Sequence, residues 1–426
     1  MLDRQVAPPV QPLASVTLPA ADVFSLPNGA RLHVLCNDAQ PVIRLQIVFP
    51  AGKWYEPLPG VSLLAARMLL EGTKSRTARQ IADTIAFYGA SLECEQGFDR
   101  ATLTLYCLTR HLEALLPLVL DVATEATFPT TEFELLKSRT IQNVRIERQK
   151  TGYLAAERFS HNLFGNDYPY GVTFDETSFE KLTTEKVKTF YREAYRVCSA
   201  EIFLCGDISD QHERLVAQTL GQGSTNHQES VEQAEHKLLA VAQHDYVTVS
   251  HSLQASLRIG RLWPSPTHPD AHHLQVLVKV LGGYFGSRLM KNIREDKGFT
   301  YGIYSSVAPR EHASMFVIGT DVNAASSDAA IAEVYNELRR LQQEPVPLDE
   351  LQTVKTYMAG KFANELSTVF EQCDKYKTVV LLGLPSTYYS EFLTQVNSVS
   401  SDDLLELAHT YLSPEHMIEV VAGPIG

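Results

Sequence analysis

Residues 181–208 read KLTTEKVKTFYREAYRVCSAEIFLCGDI, and residues 398–425 read SVSSDDLLELAHTYLSPEHMIEVVAGPI. At an offset of 217 residues Gly206 falls on Gly423, Leu182 on Val399, Thr183 on Ser400, Val187 on Leu404 and Phe190 on Leu407. Each stretch has a Thr or Ser placed to cap a helix, then an amphipathic run, then an apolar strand that stops at glycine. A chain that closes twice in this way reads as a duplication, with two halves of roughly 210 residues.

The rest of the chain fits that division. In LPNGARLHVLC (26–36) the pair Asn28-Gly29 marks a hairpin turn beside alternating apolar residues. VIRLQIVFPAG (42–52) is a further strand, and GVSLLAARMLLEGT (60–73) is an apolar helix stopped at Gly72. TARQIADTIAFYG (77–89) is a short helix, SLECEQGFDRATLTLYCLT (91–109) a strand pair, and HLEALLPLVLDVATEATF (111–128) another helix. One long amphipathic helix is expected from about Thr131 to Arg158. After residue 240 a similar order returns: strand, helix, two strands, helix, and a long helix beginning near Leu348. Between the halves, GQGSTNHQESVEQAEH (221–236) is polar and aperiodic, as a linker would be. The expected domains are therefore residues 1–220, a linker over 221–240, and residues 241–426. Because strands come in adjacent pairs, the fold class is α+β, each half a mostly antiparallel sheet packed with helices.

Composition narrows the function. A net charge of −13 argues against a nucleic acid as the main partner, since that needs clustered Lys and Arg. The six cysteines (Cys36, Cys94, Cys107, Cys198, Cys205 and Cys373) form no CxxC pair, and several lie in apolar runs, so buried free thiols in a reducing compartment are expected. The N-terminal MLDRQVAPPVQPLAS lacks the apolar core of a signal peptide, and no apolar run reaches membrane-spanning length. The cytoplasm is the default location.

Common catalytic motifs are missing: there is no GxxxxGK[ST], no GxSxG and no HExxH. His268, His272 and His273 cluster in THPDAHH, which reads as a solvated helix start. The order of segments carries more. LPNGARLHVL, a strand ending in Ala51-Gly52, Glu56-Pro57, Gly60, the helix ending MLLEGT, YGASLECEQGFDRATLTLYCL, a helix with Asp121, and FPTTEFE resemble the opening of the insulinase/pitrilysin-type metallopeptidases. GSRLMKNIREDKGFTYGIYS (286–305) is similar to that family's second half. The resemblance covers nearly the whole chain in order.

The resemblance implies an inverted zinc motif, H-x-x-E-H, on the helix before MLLEGT. Residues at i, i+3 and i+4 share a helix face, so two imidazoles can hold one zinc with the glutamate beside its water. Here those positions are Leu63, Ala66 and Arg67, and the third ligand on the later helix falls near Asn143, beside Gln142. Leu and Ala cannot coordinate, and Arg67 is a permanent cation. No His lies between His33 and His111, so the loss holds in any register. The family's Arg and Tyr, which grip bound peptide opposite the zinc, match Arg294 and Tyr301 in IREDKGFTY.

The resemblance therefore implies a processing-peptidase-like, non-catalytic member: the peptide-binding subunit of a heterodimeric zinc peptidase. No cofactor is expected in this chain; zinc is expected in a catalytic partner with an intact motif. The substrate is expected to be an unfolded peptide, taken up as an added strand along a sheet edge. A homodimer is the other assembly. The alternatives are a non-proteolytic peptide-binding or scaffold protein on the same fold, and a solitary metallopeptidase with its metal relocated to His268–His273.

Overall fold

The structure, a computed structural model, describes residues 18–223 and 243–424. Most of the stretch read as a linker, 221–240, lies outside the described residues. The first half is built on a six-stranded sheet of β1 (Asp22–Ser25), β2 (Arg31–Cys36), β3 (Val42–Phe49), β4 (Ser91–Gln96), β5 (Ala101–Leu108) and β6 (Glu201–Gly206), in the order β1-β2-β6-β3-β5-β4. Only β2 and β6 run parallel. Asn28-Gly29 turns β1 into β2: Gly29 has φ 100°, and the Asn28 side chain accepts from the Ala30 N–H at 3.1 Å and donates to Leu220 O at 2.8 Å. The second sheet holds β7 (His244–Thr248), β8 (Gln254–Trp263), β9 (Ile303–Ala308), β10 (Ser314–Asn323) and β11 (Ile418–Gly423), in the order β7-β11-β8-β10-β9. Again one pair, β7 with β11, is parallel. With β1 set aside, the two sheets have one topology.

The helices repeat as well. The first half carries α1 (Val61–Met68), α2 (Ala78–Phe87), α3 (Leu112–Thr124), α4 (Thr130–Glu147), α5 (Thr151–Phe164), α6 (Glu176–Glu180), α7 (Thr184–Ala194) and α8 (Asp210–Leu220). The second carries α9 (Ala271–Gly282), α10 (Ser327–Gln343), α11 (Leu348–Asn364), α12 (Val369–Leu381), α13 (Tyr388–Ser398) and α14 (Ser401–Tyr411), with a π-helix over Met290–Asp296 in place of α2. The caps of α7 and α14 are Thr183 and Ser400, each accepting from the N–H three residues on. A half-buried staple repeats too. Lys137 on α4 donates to Glu180 O and Leu182 O, and Lys355 on α11 donates to Asn397 O and Val399 O. This fixes α11 as the counterpart of α4.

The expected long helix over 131–158 is corrected: it breaks at 148–150 into α4 and α5. The helix begun at Leu348 breaks likewise, α12 restarting on a capping box between Thr368 and Glu371. Both breaks have one cause. α4 and α11 pack in their own halves, whereas α5 and α12 cross to the opposite sheet. On α5, Phe159, Leu163 and Phe164 pack with Val317, Ile418 and Val420 of the second sheet. Gly260 on β8 makes room there, since a Cβ would meet the Phe159 ring at 2.9 Å. On α12, Val369 and Cys373 pack with Leu35, Val48, Phe203 and Cys205 of the first sheet. Arg44 on β3 joins this contact, donating to Asp374 Oδ2 at 2.9 Å and to Phe370 O at 2.8 Å. A bidentate pair from Arg100 to Glu311 (2.7 and 2.8 Å) links the halves at another point.

All six cysteines are free thiols, but Cys36 is exposed and only Cys107, Cys205 and Cys373 are buried. No helix among the described residues is long and apolar enough to cross a membrane.

Candidate functional site

The α1–α4 junction is where a metal face would be. Glu56 sets the start of α1: its Oε2 accepts from Ser62 Oγ at 2.7 Å and from the N–H groups of Gly60 and Ser62 at 3.2 and 3.3 Å. Burial pushes the Glu56 carboxyl up, opposed by these hydrogen bonds and by Lys53. On the helix so placed, Leu63 is half-buried, Ala66 is buried, and Arg67 is exposed. Arg67 reaches across to α4, its Nη1 3.5 Å from Thr140 Oγ1. Asn143, one turn further along α4, is exposed. The surface thus offers two hydrocarbon side chains, a guanidinium and a neutral amide. These residues do not fit zinc: there is no imidazole, thiolate or carboxylate among them, and the cation opposes a metal ion.

The histidines of THPDAHH do not supply a replacement. His272 is buried, with its ring 4.4 Å from that of Tyr388, which corrects the solvated reading for this residue. Burial pushes its pKa down. His273 meets Ser398 Oγ at 3.4 Å, and His268 lies 3.7 Å from Asp270. Among the described residues no three His, Cys, Asp or Glu side chains converge as a metal site.

Arg294 and Tyr301 lie elsewhere, in an open cleft of about 1630 Å³. Arg294 lies in the last turn of the π-helix, which is anchored by Asn292 donating to Glu333 and Glu337 at 3.0 and 2.8 Å. Gly298, at φ 66°, then reverses the chain toward β9. The Arg294 guanidinium lies 4.6 Å from the Phe285 ring centroid and 3.7 Å from Glu295, so its fork is not committed to a bidentate partner. Tyr301 is 98% exposed, just before the edge strand β9. The cleft also takes Arg148 and Gln149 from the α4–α5 break of the first half and Leu154 from the first turn of α5. Its lining includes none of Leu63, Ala66, Arg67 and Asn143. Sequence reasoning missed Phe285, Leu253 and Arg148, whose gathering around Arg294 depends on tertiary structure alone.

Comparison with known proteins places the chain in a family. Residues 33–168 match the family described as Insulinase (Peptidase family M16), and residues 181–358 match its Peptidase M16 inactive domain. The chain belongs to the insulinase family. Family relatives include the "Uncharacterized zinc protease YmxG" of Bacillus subtilis, 22% identical over 94% of this chain and 97% of that protein. The "Non-peptidase homolog YmxG" of Helicobacter pylori is 22% identical over 83% of this chain and 82% of that protein. A solved Pseudomonas fluorescens structure, described as a peptidase M16 inactive domain, superposes with TM-score 0.84 at 25% identity, covering 95% of this chain and 98% of its own. In this insulinase-family chain the H-x-x-E-H zinc motif is absent.

Proposed function

We propose that this chain is the non-catalytic, peptide-binding subunit of a heterodimeric zinc metallopeptidase. One observation supports this reading: Arg294, which has no bidentate partner, and the exposed Tyr301 line an open cleft, while the matching metal face of the same chain carries Leu63, Ala66, Arg67 and Asn143. In the proposed role Arg294 uses its planar fork on a peptide carboxylate or on backbone carbonyls. The Tyr301 hydroxyl donates to a peptide carbonyl beside it. Edge strand β9 offers unpaired backbone groups along which an extended peptide adds as a strand. Zinc and its water belong to the partner chain, with an intact H-x-x-E-H, which supplies the hydrolytic chemistry.

The test is zinc content and peptidase activity of the purified chain, alone and mixed with an insulinase-family chain encoded beside it. The expected result is no zinc and no cleavage alone, a stoichiometric complex on mixing, and cleavage by the complex that falls at least tenfold with Arg294→Ala. A complex whose activity ignores both Arg294→Ala and Tyr301→Phe makes the chain a scaffold. Stoichiometric zinc and cleavage by the chain alone would overturn the reading outright.

A further inference from the structure

The second half contains a partly enclosed pocket of about 360 Å³ at the junction of α9 and α11, which nothing in the proposed function uses. It is the counterpart of the α1–α4 junction. The Lys137/Lys355 staple aligns α11 with α4 at an offset of 218, so Lys361 stands where Asn143 stands in the first half. The two junctions differ in what they offer a ligand. In the second half Lys279 on α9, Lys361 on α11 and Lys375 on α12 all line one cavity.

Two of these ammonium groups share one carboxylate. Glu365 meets Lys375 Nζ at 2.6 Å and Lys361 Nζ at 3.6 Å. Lys279 Nζ donates to Gly283 O at 3.1 Å, which answers one of its three hydrogens. Burial pushes the Lys279 pKa down, the nearby charge of Lys361 pushes it the same way, and Glu365 opposes them. Much of the remaining wall is aromatic, from Trp263, Phe362, Tyr388, Tyr389 and Phe392, and Gln275, Ser305, Ser306 and Thr378 add polar groups. Lys375 Nζ lies 5.5 Å from the Tyr389 ring centroid. Surplus positive charge in a confined space is screened less than on an open surface, so an anion that enters relieves repulsion between the lysines. An inorganic anion would satisfy the charge and leave the aromatic wall bare. A small cavity that is largely apolar with a few convergent polar groups suits an amphipathic small ligand.

We propose that this pocket binds a carboxylate borne on an aromatic or branched apolar body, with Lys279 and Lys361 holding the carboxylate and the Trp263–Phe362–Phe392 wall holding the body. The carboxylate is either that of a free small acid or the C-terminus of a peptide ending in such a residue. The inference does not rest on the subunit reading, because it uses none of the groups around Arg294.

Isothermal titration of the full chain tests it with N-acetyl-L-phenylalanine, its amide, a short peptide ending in Phe as free acid or as amide, and inorganic phosphate. The expected result is saturable binding of at least one free acid with Kd below about 1 mM, at least tenfold tighter than its amide and than phosphate. Lys361 is exposed, so Lys361→Gln keeps the fold, confirmed by an unchanged melting temperature, and weakens binding about tenfold. Arg294→Ala leaves the affinity unchanged. Binding of the acetylated amino acid alone supports a free acid as the ligand; binding of the free-acid peptide supports a peptide terminus. No saturable binding of either acid up to about 10 mM overturns the proposal. So does an amide or phosphate that binds as well as the acid, or an affinity indifferent to Lys361→Gln.

Discussion

The α1–α4 junction and the α9–α11 junction share a backbone plan and present opposite surfaces. The first offers Leu63, Ala66 and Arg67 opposite Thr140 and Asn143, with one long hydrogen bond across it. The second offers lysines and aromatic rings around a cavity. Around both, the supporting parts agree: a Lys staple to two carbonyls, a Thr or Ser cap, a broken long helix, and one parallel strand pair at the same place in each sheet. The parts that hold each half together are thus separate from the parts that could do chemistry. Replacing the second set left the first standing, which is why a chain without a zinc motif keeps an intact insulinase-family fold.

The largest effect expected is on the exchange of helices between halves. Phe159 on α5 and Phe203 on β6 are buried on the two exchanged contacts. Phe159→Ala and Phe203→Ala should each destabilise by about 3–5 kcal/mol, through lost burial and a cavity that packed walls cannot close. Because each helix is anchored in one half and covers the sheet of the other, each variant should melt in a single calorimetric transition. Two separated transitions, one moved and one not, would break the comparison and make the halves independent units.

A second effect tests whether the metal was lost by side chains alone. The quadruple substitution Leu63→His, Ala66→Glu, Arg67→His and Asn143→Glu restores an i, i+3, i+4 donor set with a carboxylate from α4. Ala66 is buried, so the variant without metal should be less stable than the parent by about 1–3 kcal/mol, the penalty of an unpaired polar group. Zinc at 100 times its Kd should restore about 2.7 kcal/mol, read as a rise in melting temperature with one zinc per chain by mass spectrometry. No zinc uptake by the folded variant would show that the α1–α4 backbone itself has moved away from a ligand geometry.

The two halves were legible because their evidence is local. Thr183 and Ser400, with the helices and strands after them, advertise caps and periods that need no partner to be read. The break at 148–150 was not legible, because apolar periodicity states that a helix has a buried face and not whose sheet that face meets. The same limit hid the burial of His272, which is covered by Tyr388 and Phe392 more than a hundred residues later. Of the candidate site, the loss at Leu63, Ala66 and Arg67 was plain from residue type, whereas Arg294 and Tyr301 were distinguishable only by resemblance. Lys279, Lys361 and Lys375 carry no mutual signal in the chain at all, since three helices bring them together.

The smallest effect asks how alike the supporting parts are. Lys137 and Lys355 are both half-buried, and each bridges two carbonyls where the next segment returns to its helix. Replacing either by Met keeps the alkyl stem packed and removes the ammonium, leaving two partly exposed carbonyls to water. The loss should be about 1 kcal/mol for each, toward the low end for a charged hydrogen bond because solvent is near. The double variant should add within about 0.5 kcal/mol, since the staples lie in different halves. Chemical denaturation with an unchanged m-value is the measurement. Near-equal values would mean the staple does one job twice. A clearly larger loss at Lys355 would have a specific cause: Lys361 lies on the same helix, six residues further along α11, so loosening α11 would also disturb the lysine pocket, and carboxylate binding would weaken in Lys355→Met while Lys137→Met left it alone.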